Sequence, residues 1–429
     1  MKRSTSKKIQ STEKKQRTLD SFKGITNSVV EWKVEGTVLT GTYSDFTPKS
    51  KVAAFDFDGT IASVKGKYSF PKDSNDWVWF DPSIPSILLH LDRLQYCLVI
   101  FSNQRGIEES KNLKKKVIFQ SRIEKTIKEI IKYCETLDLK PPPMKIYAAT
   151  EKDIYRKPCQ GMWLKYQNTF KSIIINQKES FFCGDAAGRS TIGRNSHAKD
   201  HADTDWKFAL NCDLPFILPQ EIFHSDNVKK YLKEPKLHLI KEPSLVLTGF
   251  DPKTYTNSFE IPQFDHYDIL ICVGSPASGK SSFCKRYLPN HQRINQDELK
   301  NVNACIKTAK QALSSGQKVV IDNTNPTKDA RKKFIDIAND KTIACIYFNT
   351  DLDIAQHNKQ YRELHPLIRE LAGLGNGSEP YPHVPMIALY TFFKKFERPA
   401  IDEGFHHVYE IPFVPCFEEG GEEFWRLYY

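Results

Sequence analysis

The chain has 429 residues, 40% of them hydrophobic and 27% charged, and a formal net charge of +10. No run approaches the ~18 consecutive apolar residues of a membrane helix, and the basic MKRSTSKKIQ stretch leads into no apolar signal segment, so a soluble, non-secreted protein of two ordinary domains is expected. The ten cysteines are scattered without a CxxC pair, several in apolar runs such as FFCGD and LICVG. They read as core residues of a reduced compartment, not as zinc ligands or a disulfide framework.

Residues 1–23 carry eight Lys/Arg against two Asp/Glu, more than half of the net charge. The segment 1–27 is expected to be a basic disordered tail, suited to nuclear import or loose contact with nucleic acid, and a nuclear location follows as an expectation. Within it QRTLDSF resembles the sliding-clamp box, Q-x-x-aliphatic-x-x-aromatic-aromatic: Gln16, Leu19 and Phe22 fit, and Lys23 stands where the second aromatic belongs. A sliding clamp is thereby a candidate partner.

From 28 to 220 the runs KVAAFDF, YCLVIFSN, KIYAAT and SFFCGD alternate with helical patterns. Between the second and third runs, Leu113, Val117, Ile123, Ile127, Ile130 and Cys134 recur at three- and four-residue steps, which predicts an amphipathic helix with lysines on its outer face. Strands alternating with helices predict a mainly parallel sheet with crossovers. Residues 221–265, punctuated by proline, read as a connection with room for a short strand at SLVLTGF. A second alternating series fills 266–429: YDILICVG, KVVIDNTN, TIACIYFNT and HHVYEIP. The fold class is therefore α/β, in two tandem domains.

In AAFDFDGTIA the apolar run ends at Asp56 and Asp58, which places both carboxylates at the C-terminal edge of a sheet, where open α/β folds bind their ligands. Gly59 lets the chain turn away, and Thr60 offers a hydroxyl and an N–H. Downstream, FSNQ presents Ser102 and Asn103, YRKP presents Lys157, and FFCGDAAGR presents Asp185 and Arg189, each following a strand pattern. Only 43 residues separate Asp58 from Ser102, and the 54 between Ser102 and Lys157 are largely taken by the helix. That leaves no room for a large cap domain, so an open site suited to a chain end is expected, with the insert 67–80 as a small flap over it.

The order Asp-x-Asp, Ser, Lys, Gly-Asp resembles the haloacid-dehalogenase phosphohydrolase superfamily over roughly 52–215. The resemblance implies a Rossmann-like fold and an aspartyl-phosphate mechanism. Asp56 attacks phosphorus, and Asp58 protonates the leaving oxygen and then deprotonates the hydrolytic water. Mg²⁺ is held by Asp56, Asp185 and the carbonyl of Asp58, while Ser102, Asn103, Thr60 and Lys157 take the nonbridging oxygens. Where many relatives carry a second acid after Gly-Asp this chain has Arg189, a candidate substrate contact, with Asp203 or Asp205 left to supply the acid.

GSPASGKS satisfies the phosphate-loop pattern with Gly274, Gly279, Lys280 and Ser281, after an apolar strand and before a helix. Its backbone from Gly274 through Ser275, Pro276, Ala277 and Ser278, on to Ser281 and Ser282, is expected to cradle ATP. Lys280 bridges phosphates and Ser281 ligates Mg²⁺. Asp297 in INQDEL is a candidate base for an acceptor hydroxyl. Asp322 in VVIDNTN is a candidate metal or substrate contact, and Arg362 in HNKQYRE a candidate contact to the transferred phosphoryl group.

Taken together, DxDGT, RKPCQGMW, CGDAAGR, GSPASGKS, NQDEL and HNKQYRE resemble the eukaryotic polynucleotide kinase 3′-phosphatase family over about 50–429. That resemblance implies removal of a 3′-phosphate and ATP-dependent phosphorylation of a 5′-hydroxyl at DNA breaks; a monomer is a separate expectation. Three departures stand out. The roughly 50 residues ahead of the phosphatase are too few for the forkhead-associated domain of larger animal members; Gln296 replaces the usual arginine before Asp297; and Gln360 stands where a lid arginine is usual. An RNA-end-healing enzyme is the nearest alternative, although the phage examples place kinase before phosphatase. A decayed repair scaffold and a metabolite phosphatase–kinase fusion are the others.

Overall fold

The computed structural model describes residues 28–66, 68, 70–107, 113–189, 200–223, 249–375, 383–417 and 420–429. Gln16, Leu19 and Phe22, and nearly all of the strand expected at SLVLTGF, lie outside them. Among the described residues no helix is long and apolar enough to cross a membrane. All ten cysteines are free, and all but Cys416 are buried.

The first sheet contains β1 (Val30–Glu35), β2 (Val38–Tyr43), β3 (Lys51–Phe55), β6 (Tyr96–Asn103), β7 (Met144–Ala149), β8 (Phe181–Cys183) and β9 (Phe216–Ile217), in the order β1-β2-β7-β6-β3-β8-β9. Two short strands, β4 (Ala62–Ser63) and β5 (Val78–Trp79), form a separate ribbon. Along β3, Ala53 and Phe55 enter one apolar cluster while Val52 and Ala54 enter the other, as the period of two requires of a strand covered on both faces. The helices α1 (Ile84–Arg93) and α2 (Leu113–Glu135) serve the first cluster; α3 (Gly161–Thr169) and α4 (Thr204–Asn211) serve the second, and a short α5 (Pro219–Phe223) follows β9. In α1, Pro85 sits at the start, where its missing N–H is harmless, and Ile84, Ile87, Leu88 and Leu91 make the buried stripe.

Two features depart from the sequence reading. Residues 30–43 form a hairpin, unread in the sequence, that adds antiparallel to β7 through β2 at the edge of the expected, mainly parallel sheet. It docks on α2, where the buried Glu124 accepts hydrogen bonds from Trp32 Nε1 at 3.1 Å and from Ser28 Oγ. Secondly, Leu113 and Val117 are exposed; the buried stripe runs from Phe119 to Cys134 and includes Arg122.

The second sheet is parallel throughout: β10 (Ile269–Val273), β11 (His291–Ile294), β12 (Lys318–Ile321), β13 (Ile343–Asn349) and β14 (His407–Pro412), ordered β11-β12-β10-β13-β14. Its helices are α6 (Lys280–Tyr287), α7 (Gln296–Leu299), α8 (Val302–Ser314), α9 (Lys328–Ile335), α10 (Leu352–Leu371), α11 (Met386–Lys395) and α12 (Gly421–Trp425). In both sheets the chain lays strands on one side of a central strand, β3 or β10, and later crosses to its other side, to β8 or β13. That makes the C-terminal ends of β3 and β10 the switch points, the positions that favour ligand binding in such sheets.

The two halves share an apolar cluster of Ile154, Ile368 and Phe424, with Leu164, Leu364 and Leu427 against it. Beside it His357 is 7% exposed and its Nε2 lies 2.6 Å from the carbonyl oxygen of Trp425. Burial, with the positive Lys207 adding to it, pulls the imidazole down to about 4, although the Trp425 hydrogen bond opposes the shift. His357 is thus neutral in the folded protein at pH 7. An unfolded-state histidine titrates near 6.5, so the stability this residue contributes is complete above that value and is lost as pH falls toward 4. The expected loss is roughly 2 kcal/mol between pH 7.5 and pH 5. Urea unfolding at the two pH values checks it: His357→Gln should flatten the dependence, and an unchanged slope would refute the assignment.

Candidate active sites

The turn after β3 builds the first site. Asp56 is 7% exposed at the strand end, and Asp58 projects from the next turn with its side chain 42% exposed. Gly59 takes φ +81°, and a Cβ there would lie 2.5 Å from Asp185 Oδ2, so only glycine lets the turn close on the acid behind it. Lys157 Nζ lies 2.7 Å from Asp56 Oδ1 and 2.6 Å from Asp205 Oδ1. Its position is fixed from behind by Asn103, whose Nδ2 donates to the Lys157 carbonyl at 3.0 Å and whose Oδ1 accepts from the Lys157 N–H at 2.9 Å. Asn103 thus holds the lysine's peptide with both ends of its amide.

The electrostatics are those of excess negative charge. Burial pushes the Asp56 carboxyl well above the ordinary range, and Asp205, Asp185 and Asp58 push it further against the pull of Lys157. Asp185, also raised chiefly by burial and next by Asp205, is pushed up to about 6. Burial works against the Lys157 ammonium, but Asp205 and Asp56 outweigh it and hold its pKa above the ordinary value. Three carboxylates, those of Asp56, Asp185 and Asp205, bring ligand oxygens within 4.8 Å of one another around this single lysine. One cation cannot neutralise them, and the all-oxygen donor set fits a hard divalent ion such as Mg²⁺. Thr60 Oγ1 is buried without a hydrogen-bond partner, a hydroxyl left for an incoming oxygen.

The third acid is therefore Asp205, at the first turn of α4, where its Oδ2 also accepts from Ala186 N at 3.0 Å. Asp203 turns away to Lys207 at 2.7 Å. Arg189 is paired with Asp200 through Nε at 2.8 Å and Nη2 at 2.9 Å, and its Nη2 also reaches the Asp185 carbonyl at 3.2 Å.

Two side chains at this site escape sequence reading. Arg122, 1% exposed on α2, places Nη1 2.6 Å from Asp58 Oδ1. Gln104 Nε2 joins Asp58 Oδ2 at 2.7 Å to Ser102 Oγ at 2.9 Å. The signal for Arg122 was a charge falling on the buried stripe of an amphipathic helix, three residues after Phe119, where an unpaired guanidinium would be costly. The flap expected over 67–80 is anchored to the same helix: Lys125 Nζ donates to Ser74 O at 3.0 Å and Ser74 Oγ at 2.9 Å. The ribbon β4–β5 that carries it continues directly from the Asp58 turn, with Gly59 N donating to Ala62 O at 2.9 Å. Tyr68 and Phe70 on it are exposed.

At the second site β10 leads through the 274–279 turn into α6. Gly279, at φ +89°, supplies the left-handed step that starts the helix. Lys280 curls back over the turn, its Nζ 3.0 Å from Gly274 O, 2.6 Å from Ser275 O and 3.2 Å from Ser278 Oγ. Burial pulls its ammonium down to about 8; Asp322 supports the charge and Arg362 opposes it, which puts Arg362 within electrostatic reach of the loop. Ser275 Oγ and Asp322 Oδ1 are buried and unpartnered. Asp322 Oδ2 accepts from Arg293 Nε at 2.6 Å and Asn295 Nδ2 at 3.2 Å.

Asn295 is the residue that sequence reading missed here. Its Oδ1 caps α7 by accepting from Asp297 N at 2.8 Å, while its Nδ2 also reaches the Asp322 carbonyl at 2.7 Å. Asp297 is exposed in the first turn of α7, tied by this amide to Asp322. The spacing Asn295–Glu298, an N-cap followed by an acid three residues on, was the available signal.

A buried carboxylate facing a lysine at one switch point, and a phosphate-gripping loop at the other, define a tandem phosphatase–kinase. A family model described as polynucleotide kinase 3 phosphatase matches residues 51–223, and one described as an AAA domain matches 269–372. The chain is 33% identical over 410 residues to the bifunctional polynucleotide phosphatase/kinase of Schizosaccharomyces pombe, covering 93% of this chain and 88% of that protein. It therefore belongs to the bifunctional polynucleotide phosphatase/kinase family. A putative bifunctional polynucleotide phosphatase/kinase of Acanthamoeba polyphaga mimivirus is 29% identical over 418 residues, 90% of each chain. A polynucleotide 3′-phosphatase of Arabidopsis thaliana is 33% identical over 209 residues, 46% of this chain and 27% of that one.

Proposed function

We propose that the protein heals DNA strand breaks in the nucleus, removing a 3′-phosphate at the first site and phosphorylating a 5′-hydroxyl from ATP at the second. The observation that carries the reading is the presence of both geometries in one chain: Asp56 against Lys157, and Lys280 in its loop. Asp56 is the nucleophile and forms an aspartyl-phosphate. Asp58 gives its proton to the departing sugar oxygen and then takes one from water. Lys157, Ser102 and the free hydroxyl of Thr60 receive the nonbridging oxygens. Arg122 and Gln104 hold the two oxygens of Asp58 in place. Asp56, Asp185, Asp205 and the Asp58 carbonyl would hold Mg²⁺, which supplies charge neutralisation of the phosphoryl oxygens. The dense carboxylate cluster supports that assignment.

In the second half, Lys280 and the loop N–H groups grip the ATP phosphates, and Ser281 with Asp322, whose Oδ1 is buried and unpartnered, would hold the accompanying Mg²⁺. Asp297 accepts the proton of the 5′-hydroxyl, and Arg362 faces the transferred phosphoryl group. Arg189 is given no phosphate-binding role, because Asp200 holds its guanidinium at two nitrogens. The protein acts as a monomer through two domains, 28–220 and 266–429, joined by 221–265, and the 16–22 segment offers a contact to a sliding clamp.

The test is a nicked duplex carrying 3′-phosphate and 5′-hydroxyl, with Mg²⁺ and labelled ATP, both ends followed on a denaturing gel beside an RNA counterpart. Conversion of both DNA ends, faster than RNA, is expected; faster RNA conversion would make this an RNA-healing enzyme. Arg122→Met should lower the phosphatase kcat by about 10²-fold, within the range for disabling a general acid–base group, with little change in substrate KM. Wild-type kcat in the folded variant would remove Arg122 from the mechanism.

A further inference from the structure

A line of hydrogen bonds joins the two sites through the 420–429 segment. On the kinase side, Asn358 Nδ2 of α10 donates to the carbonyl of Ala277, inside the phosphate loop, at 3.0 Å. Its Oδ1 accepts from Trp425 Nε1 at 2.7 Å. Three residues on, Tyr428 N donates to Asn211 Oδ1 at 2.9 Å, and Asn211 Nδ2 donates to Tyr428 O at 2.8 Å. The second hydrogen of that same amide goes to Pro158 O at 2.8 Å, one residue from the Lys157 that contacts Asp56.

Every side chain in this line is buried: Asn358 5% exposed, Trp425 0% and Asn211 5%. Asn358 gives its nitrogen to Ala277 and its oxygen to Trp425, and Asn211 gives its nitrogen to Pro158 and both atoms to Tyr428, so neither half can shift without leaving a buried donor or acceptor unmade, at about 1–3 kcal/mol each. Asn358 and Trp425 are held further by the neutral His357 against the Trp425 carbonyl. The line is short because only the main chain from Trp425 to Tyr428 separates the kinase contact from the phosphatase contact.

We infer that Asn358, Trp425 and Asn211 are positioning residues shared by both activities: together they set the phosphate loop and the Lys157–Pro158 turn in one fixed relation. The inference rests on the tandem activity proposed above. Neither asparagine touches a reacting group on the far side. A change in one should nevertheless alter the geometry of the other site, through Lys157 in one direction and Ala277 in the other. Lys157 meets charge that develops on the phosphoryl oxygens, so its misplacement affects kcat more than KM.

The experiment measures both activities of the full-length chain carrying Asn358→Ala or Asn211→Ala, and of the double variant, with thermal melting alongside. Asn358→Ala, a change in the kinase half, should lower the phosphatase kcat by about 10-fold at unchanged substrate KM; Asn211→Ala should raise the KM for ATP by about 5-fold, and the double variant should lose no more than the worse single one, since both cut one line. Additive losses, or a far-side activity within two-fold of wild type in either single variant, would overturn the inference. If Asn358→Ala does not fold, Asn358→Asp keeps the acceptor for Trp425 and loses the donor to Ala277, and the same phosphatase kcat decides. A wild-type chain without 3′-phosphatase activity would refute the proposed function; an active wild type with insensitive variants refutes only the tie between the sites.

Discussion

Asp56→Asn is expected to abolish 3′-phosphate removal, by roughly 10⁴-fold or more in kcat as for loss of a nucleophile, and to leave ATP-dependent phosphorylation within two-fold of wild type. The amide is isosteric with the carboxylate and fits between Lys157 and the β3 strand end, but it cannot attack phosphorus. The stability readout separates chemistry from misfolding. Burial and three neighbouring carboxylates raise the Asp56 pKa, so folding works against its charge relative to the unfolded chain. Removing that charge should raise, or at least not lower, the melting temperature in metal-free buffer. In Mg²⁺ the ordering should reverse, because the variant has lost a ligand and gains less from the ion. A variant that retains phosphatase activity would remove Asp56 from the role of nucleophile, and one that melts early in metal-free buffer would refute the electrostatic reading of the cluster.

The same cluster shows how far the sequence could be read. Asp56 and Asp185 were legible because each follows an apolar run that must be a strand, and strand ends in an open parallel sheet converge; Lys157, in the loop between β7 and α3, was legible only through the family resemblance. Asp205 was legible only as one of two acids. Which of Asp203 and Asp205 enters the site depends on where α4 begins, and the first turn aims Asp205 at Ala186 N and Lys157 while Asp203 meets Lys207. Arg122 and Gln104 were not found, since their partner Asp58 lies more than 40 residues away: the helical period puts Arg122 on a buried stripe but does not say what it meets there. The 30–43 hairpin was missed for a related reason. Its alternation is short and its partner β7 is distant in sequence, so pairing rather than propensity places it. The line through Asn358 and Asn211 is a property of tertiary packing alone, and two asparagines in helices carry no pattern that announces it.

The complementary change, Lys280→Ala, is expected to lower kinase kcat/KM by about 10³-fold, the scale of losing one preorganised charge at a transferring phosphoryl group, with the phosphatase within two-fold of wild type. Lys280 folds over the loop onto the carbonyls of Gly274 and Ser275, where burial pulls its ammonium down to about 8. A lysine lowered this far is charged at pH 7 and loses its proton as pH rises through 8. ATP needs the charged form, so the KM for ATP in the wild-type enzyme should climb above pH 8 and stay level below it. Bound polyphosphate favours the ammonium in turn, so ATP binding at pH 8.5 should take up a fraction of a proton from the buffer. Calorimetry in buffers of different ionisation enthalpy reads that uptake, and Lys280→Ala should abolish it together with the rise in KM. If the alanine variant still took up a proton on binding ATP, the titrating group would lie elsewhere, and Lys280 would be a packing element of the loop instead of its phosphate clamp.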